Sequence, residues 1–582
     1  MRLIVPFASA FSALRGQLSR SMSISDHSIG DGSIRNFLRE VYQKSHPRNV
    51  FSVFVTGGGS TALEWLFTVP GASNCLMDAG VVYSRPALRA FMRGCTNQQP
   101  ISTCSSLVAL TMADTSWRHA NEFLLADSCD FNSLRDAKIF GVSCTASLVS
   151  DVPKRGAHRV YVATTMQAVS RVYTVEFEKG LRNRVEEDAA CSRLLLDAIA
   201  QCCSIAPLPT DYLFDTAGEV NPRKKSTEIV LTTTVQRTDV LARILGRETR
   251  QAIFIKSAFT EKAIETTMTS TLLTVSDNVD VDETTTSTLL VESGNVDADE
   301  ITQKGETSAI ETGQLQDNFV ILEDVPLPKG TILFPGSFNP LHEGHVALVV
   351  AALQKVSESL PSRLGDLILN RHSDSGSDST GSHDHGDVDD WRRIPVIFEV
   401  AAINADKPPL PRNEVLRRVE QFDPFLNTVL TSANLTNIAV CVTSEPLFLE
   451  KSKLFPGCNF LIGSDTMSRI INPKYYGPLL HLPEGLTPAE ISLEVERHRQ
   501  QSVYTMVAAL STIAERGCHF IVGGRVTSPS SLEAVEKKFD TFESVCSKSS
   551  VDIPPSLLNS LFSGLSEDEF RLDLSSTQLR EN

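Results

Sequence analysis

Apolar and polar positions along this chain alternate in two distinct ways. In the first half, Val50–Val55 is β-branched and aromatic and predicts a strand, with Gly57-Gly58-Gly59 after it and a helix over Thr61–Phe67. His158–Thr165 and Arg171–Glu178 predict paired strands, and Val185–Cys203 an amphipathic helix. Together they outline one α/β unit over residues 45–257. In the second half, short apolar runs at Thr331–Phe334, Ile394–Val400, Ile438–Val442, Phe460–Ile462 and Phe520–Val522 alternate with helical patterns. Those helices are expected at His345–Ser357, Asn413–Phe422 and Val503–Glu515. Strands alternating with helices predict a parallel sheet with crossover helices, which binds ligands at the carboxyl ends of its strands.

Between the halves the pattern fails. Residues 260–318 contain no aromatic side chain and are dominated by Thr, Ser, Asp and Glu. Thr269-Ser270-Thr271-Leu272-Leu273 with Asn278-Val279-Asp280 recurs 17 residues later as Thr286-Ser287-Thr288-Leu289-Leu290 with Asn295-Val296-Asp297. Two copies make a duplicated linker, since a solenoid needs at least about three stacked units. Low hydrophobicity and negative charge predict disorder there and a domain boundary. Ser373–Asp390 is similarly biased, and His372, His383 and His385 lack a scaffold that would fix them as metal ligands. It is expected to be a disordered insertion, and no metal site is expected.

A chain of 582 residues with 54 basic against 70 acidic side chains is too long for one core, and its net charge of −16 argues against nucleic-acid partners. No apolar run approaches the ~18 residues that a membrane span needs. Twelve cysteines without a C-x-x-C pair fit reduced thiols in a reducing compartment. Residues 1–25 carry Arg2, Arg15 and Arg20 and no acid, the pattern of a transit peptide. A secretory signal and a frayed terminus are the alternatives. The cytoplasm is the expected compartment, with the mitochondrion as the alternative.

The strongest chemical signal is Gly336-Ser337-Phe338-Asn339-Pro340-Leu341-His342-Glu343-Gly344-His345, between a strand and a helix. Gly336 would let a backbone approach a phosphate closely, and Pro340 would stiffen the turn. His342 and His345, three apart at a helix start, can aim imidazole donors to one side, where free amides and the helix dipole also favour an anion. Two further strings follow in order: Gly463-Ser464-Asp465 at a strand end, and Leu574-Ser575-Ser576-Thr577-Gln578-Leu579-Arg580.

These three strings resemble the H-x-G-H nucleotidyltransferase superfamily, and within it most closely the nicotinamide-nucleotide adenylyltransferases. The resemblance covers residues 330–582 and implies a Rossmann-like sheet. It implies His342, His345 and Arg580 as catalytic residues. Nucleotide binding would fall to Gly336, Ser337, Phe338, Asn339, Gly344, Gly463, Asp465, Ser575, Ser576 and Thr577. Mg²⁺ would arrive with ATP. The family's tryptophan after G-x-D is replaced in that region by Tyr475 and Tyr476, and the chain ends two residues after Arg580.

In the first half, Val69-Pro70-Gly71-Ala72-Ser73 and Gly80-Val81-Val82-Tyr83-Ser84 resemble the CinA C-terminal family, whose active members are nicotinamide-nucleotide amidases. The serine nucleophile's place falls at Thr56, and the lysine five residues after Tyr83 becomes Leu88. A hydroxyl needs a base to become a nucleophile, and leucine is none. The expectation is a retained fold with lost or changed chemistry, serving binding or homo-oligomerisation.

The function expected is transfer of AMP from ATP to a small phosphorylated acceptor, nicotinamide mononucleotide or its acid. Transfer of AMP or CMP to another acceptor such as phosphopantetheine is the alternative, and so is a nucleotide-binding regulator without activity.

Overall fold

The computed structural model describes residues 31–43, 47–92, 102–208, 230–237, 239–256, 319–359, 390–403, 408–422, 435, 437–477, 487–527, 538–548 and 553–571. The chain is mixed α/β with two large sheets and divides into two units, residues 1–120 with 138–236 and residues 121–137 with 237–582.

The first unit runs α1 (Asp31–Val41), β1 (Arg48–Thr56), α2 (Ser60–Thr68), β2 (Leu76–Val81), α3 (Arg85–Phe91) and α4 (Ser106–Ser128), whose residues from 121 on group with the second unit. The short helix α5 (Phe131–Arg135), which groups with the second unit, precedes β3 (Ala137–Ser147), β4 (His158–Thr165), β5 (Val169–Phe177), α6 (Arg184–Cys203) and β6 (Leu231–Gln236). The sheet order is β2-β1-β3-β4-β5-β6, with β1 and β2 parallel and β3 to β6 antiparallel. Ile34, Phe37, Leu38 and Val41 repeat at helical spacing, so α1 buries one stripe in the core built on β1, β3 and α6. β6, Leu-Thr-Thr-Thr-Val-Gln at the sheet edge, is exposed along its whole length.

The second unit continues with α7 (Val240–Leu245), β7 (Gln251–Lys256), β8 (Phe319–Glu323), β9 (Ile332–Pro335), α8 (Glu343–Ser359), β10 (Val396–Ala401), α9 (Arg412–Glu420), β11 (Ile438–Thr443) and α10 (Phe448–Leu454). There follow β12 (Asn459–Gly463), α11 (Ser464–Ile470), α12 (Pro488–Glu515), β13 (His519–Gly523), a ribbon of β14 (Arg525–Thr527) and β15 (Lys538–Asp540), α13 (Phe542–Lys548), α14 (Pro555–Leu561) and β16 (Phe562–Gly564). The eight-stranded sheet reads β16-β13-β12-β9-β10-β11-β7-β8. Its pairs from β16 to β11 are parallel, and β7 and β8 are antiparallel additions.

Strands buried on both faces lose the polar alternation of half-exposed strands. All six residues of β11 are buried accordingly. One face packs Phe334, Phe398, Val440 and Ile521 against Val349, Ala352 and Leu353 of α8 and Val415 and Val419 of α9. A second set of rings, Phe460, Phe520 and Phe562, stacks across β12, β13 and β16, with centroids 5.4 and 4.9 Å apart.

The unit expected over 45–257 ends earlier, because α7 and β7 belong to the second unit, where β7 pairs with β11 and β8. The second unit likewise begins before residue 330, with residues 121–137 and then 237 onward. Helix α12 starts at Pro488 instead of Val503 and carries a capping box between Thr487 and Glu490. The expected leader (1–25) and linker (260–318), and all of the expected insertion (373–390) except Asp390, lie outside the described residues. Among the described residues no helix is long and apolar enough to cross a membrane.

Candidate functional site

β9 and β12 are parallel neighbours, and a turn leaves the carboxyl end of each. The β9 turn spans residues 336–342 and enters α8. Phe338 holds it in place. Its φ of 42° is left-handed, uncommon for a side chain of this bulk. Its ring is buried against Phe334, Phe398, Phe422 and His345, with centroids 5.1–5.6 Å away. A Cβ on Gly336 would stand 2.5 Å from that ring. Gly336 therefore leaves no room for a side chain beneath the Phe338 ring, and that ring is part of the core.

The two histidines do come together. Their ring centroids are 3.8 Å apart at an interplanar angle of 36°. The backbone N–H of His342 donates to Nδ1 of His345 at 3.1 Å, so neutral His345 carries its proton on Nε2. Burial, with the neighbouring His342, pushes the His345 pKa down to about 3, and burial also lowers that of His342. Near neutral pH both are uncharged rings that offer N–H dipoles. Gly344 lies in the first turn of α8, whose amides lack partners within the helix. Ser337 is exposed and Asn339 half-buried.

Helix α9 grips the turn residue by residue. Arg418 donates to the Ser337 carbonyl (3.1 Å) and Arg417 to Oδ1 of Asn339 (2.8 Å). The Gln421 amide donates to the Phe338 carbonyl (2.6 Å) and accepts the Leu341 N–H (3.1 Å). Glu414 holds both arginines, and these contacts, Arg417 foremost, lower its carboxyl to about 2. None of these four was picked out from the sequence, although Arg-Asn-Glu-Val-Leu-Arg-Arg at 412–418 displays three basic residues on a helix that was expected. Beneath the turn, the Gly336 N–H donates to the carbonyl of Glu399, whose buried carboxylate pairs with Lys451 and receives the Thr443 hydroxyl.

At the end of β12, Gly463 passes directly into α11, and a Cβ there would lie 2.8 Å from Oδ1 of exposed Asp465. Ser575, Ser576, Thr577 and Arg580 lie outside the described residues. Among the last described residues, Glu569 pairs with Lys355 of α8 (2.9 Å) and Phe570 packs on the core. Among the described residues no three His, Cys, Asp or Glu side chains gather as metal ligands.

In the first unit, Thr56 ends β1 and is buried, Tyr83 is 76% exposed, and Leu88 is buried beside Phe54, Met92, Val108 and Met112. The glycine-rich turn that follows Thr56 is already occupied by an anion of the chain itself. Asp188 of α6 accepts from the backbone N–H groups of Gly59, Ser60 and Thr61 and from both hydroxyls, at 2.8–3.3 Å. Arg184 donates to the Gly57 carbonyl at 2.9 Å.

No protein-family model matches the chain, and no curated protein matches it. Solved structures of the CinA superfamily do show similarity. The competence/damage inducible protein CihA from Agrobacterium tumefaciens is 19% identical, over 29% of this chain and 94% of that one, with a TM-score of 0.23. A competence-damaged protein (CinA) superfamily protein from Escherichia coli is 13% identical over 29% and 89%, TM-score 0.22. Another from Klebsiella pneumoniae is 11% identical over 30% and 98%, TM-score 0.22.

Proposed function

We propose that the second unit is a nucleotidyltransferase that moves AMP from ATP onto a phosphate-bearing acceptor, with nicotinamide mononucleotide or its acid as that acceptor. One observation carries this reading. The turn with His342 and His345 and the turn with Gly463 and Asp465 leave the same end of adjacent strands β9 and β12. Numbered by chain order, the six parallel strands read 6-5-4-1-2-3, so that pair marks where the order reverses. That order supports a doubly wound, Rossmann-like reading of the unit, in which ligands would sit outside the carboxyl ends at the reversal.

The chemistry would be a direct displacement. An oxygen of the acceptor phosphate bonds to the α-phosphorus as the bond to the pyrophosphate oxygen breaks, and no covalent enzyme intermediate forms. Half-buried neutral imidazoles suit the task, because preorganised N–H donors stabilise charge that grows on phosphate oxygens. His345 would donate through Nε2. Arg417, beside Asn339, offers a partly exposed cation next to the turn. Arg580 would hold the leaving pyrophosphate, since a guanidinium meets phosphate oxygens two at a time. Mg²⁺ brought with ATP would offset the phosphate charge.

The first unit is read as a CinA-like module without amidase activity that serves binding or self-association. Leu88 can supply no base, and Asp188 fills the glycine-rich turn. Pyrophosphate release by the purified protein, with ATP or CTP against a panel of phosphorylated acceptors, tests the transferase. Silence with every pair would end that reading. Ammonia release from nicotinamide mononucleotide by a His345→Ala variant would end the reading of the first unit.

A further inference from the structure

We infer that Gln421 is a positioning residue for transfer, its amide setting the tautomer of His345 through the turn at residues 338–341. The inference rests on the transferase reading of this site. Gln421 caps the end of α9, its own N–H bonded to the Arg417 carbonyl. Its side chain spans the turn, donating to the Phe338 carbonyl at 2.6 Å and accepting from the Leu341 N–H at 3.1 Å. The same amide also donates to the Arg418 carbonyl at 3.0 Å. Those partners fix which end of the amide is oxygen, because a carbonyl needs a donor and an N–H needs an acceptor.

The next link is the adjacent peptide. With the Leu341 N–H held by Gln421, the following N–H, of His342, is directed onto Nδ1 of His345. Nδ1 then accepts, and the imidazole proton stays on Nε2, the nitrogen left to meet a phosphate. At pH 8 a side-chain amide does both jobs with one planar group. A carboxylate cannot donate, a cation cannot accept, and methionine does neither. Phe422, the next residue, is buried against the Phe338 ring, so the two neighbours hold the turn by its backbone and its core.

The test uses the full chain with Gln421→Met and Gln421→Glu. Both should fall by roughly 10²-fold in kcat at pH 8 with little change in KM for ATP, as expected when a catalytic group is misplaced and binding is not. Gln421→Glu should recover as pH falls, because a protonated carboxyl regains a donor, whereas Gln421→Met should not. Wild-type kcat in both variants, a loss carried by KM instead, or a Gln421→Glu loss that stays flat with pH would overturn the inference. Amide hydrogen exchange across residues 338–346 separates this from failure of the transferase reading itself. If wild-type protein releases no pyrophosphate, the clamp still predicts at least roughly tenfold faster exchange in Gln421→Met. Unchanged exchange would then overturn it.

Discussion

At the scale of single residues, the candidate site depends on two histidines that are half-buried and uncharged near neutral pH. His345→Ala should lower kcat by about 10²–10³-fold through loss of a preorganised donor, with a modest fall in melting temperature because the ring also packs on Phe338 and accepts the His342 N–H. Turnover within a few fold of wild type would remove the histidine pair from the chemistry. Its pKa also predicts a stability signature. A histidine lowered from 6.5 to about 3 is held neutral by the fold. Its contribution is complete above pH 6.5 and is lost as pH falls toward 3. His345→Gln, which cannot take up that proton, should therefore lose less melting temperature than wild type between pH 6.5 and 4. Equal losses would mean the ring is not shielded as described. The histidines could be read from the sequence because their spacing is local. The roles of Gly336 and Phe338 could not, since the cage around that ring is closed by Phe398 and Phe422 from other elements.

At the scale of elements, most strands and helices with a clean period were legible, and their observed bounds differ by a residue or two. What escaped lacked a period or owed its structure to partners. The first turns of α12 carry Glu490, Glu494, Glu496, Arg497 and Arg499 and are held by a capping box and local ion pairs, with no buried stripe to betray them. β7 and β8 were missed because they are short edge additions that exist by pairing with β11 and with each other. The contact between α6 and α2 was invisible for a similar reason, since Asp188 lies far along the chain from the turn it fills. Asp188→Ala should destabilise the protein by about 2–4 kcal/mol, because buried N–H donors lose a charged acceptor. A glycine-rich turn at a helix N-terminus binds free anions once its own is removed. Millimolar sulfate should therefore restore part of the lost melting temperature in Asp188→Ala and do little for wild type. Equal shifts in both would show that the cavity does not accept an anion.

At the scale of the whole molecule, the chain crosses between its units more than once. Residues 121–137 lie within the sequence of the first unit yet belong to the second, and so do α7 and β7, which precede the expected linker. Asn437 shows how firmly this is built. Its side chain accepts the Phe131 N–H at 2.9 Å and donates to the Cys129 carbonyl at 2.9 Å. β7 lies between β11 and β8, with Ala252, Ile253, Phe254 and Ile255 buried. A break at residue 257 would therefore not divide the protein into independent pieces. Expressed alone, residues 258–582 would expose the edge of β11 and the apolar surface that β7 covers, a combination that promotes aggregation. Residues 1–257 alone would display β7 and α5 without the sheet that buries them. The two pieces produced together as separate chains should instead find each other, because four residue pairs with β11 and five with β8 complete the sheet without a covalent link. Co-purification through a tag on either piece, followed by one shared melting transition, is the expected result. Two pieces that stay soluble and separate would show that β7 is dispensable to the second unit, and that the boundary read from the sequence at residue 257 was adequate after all.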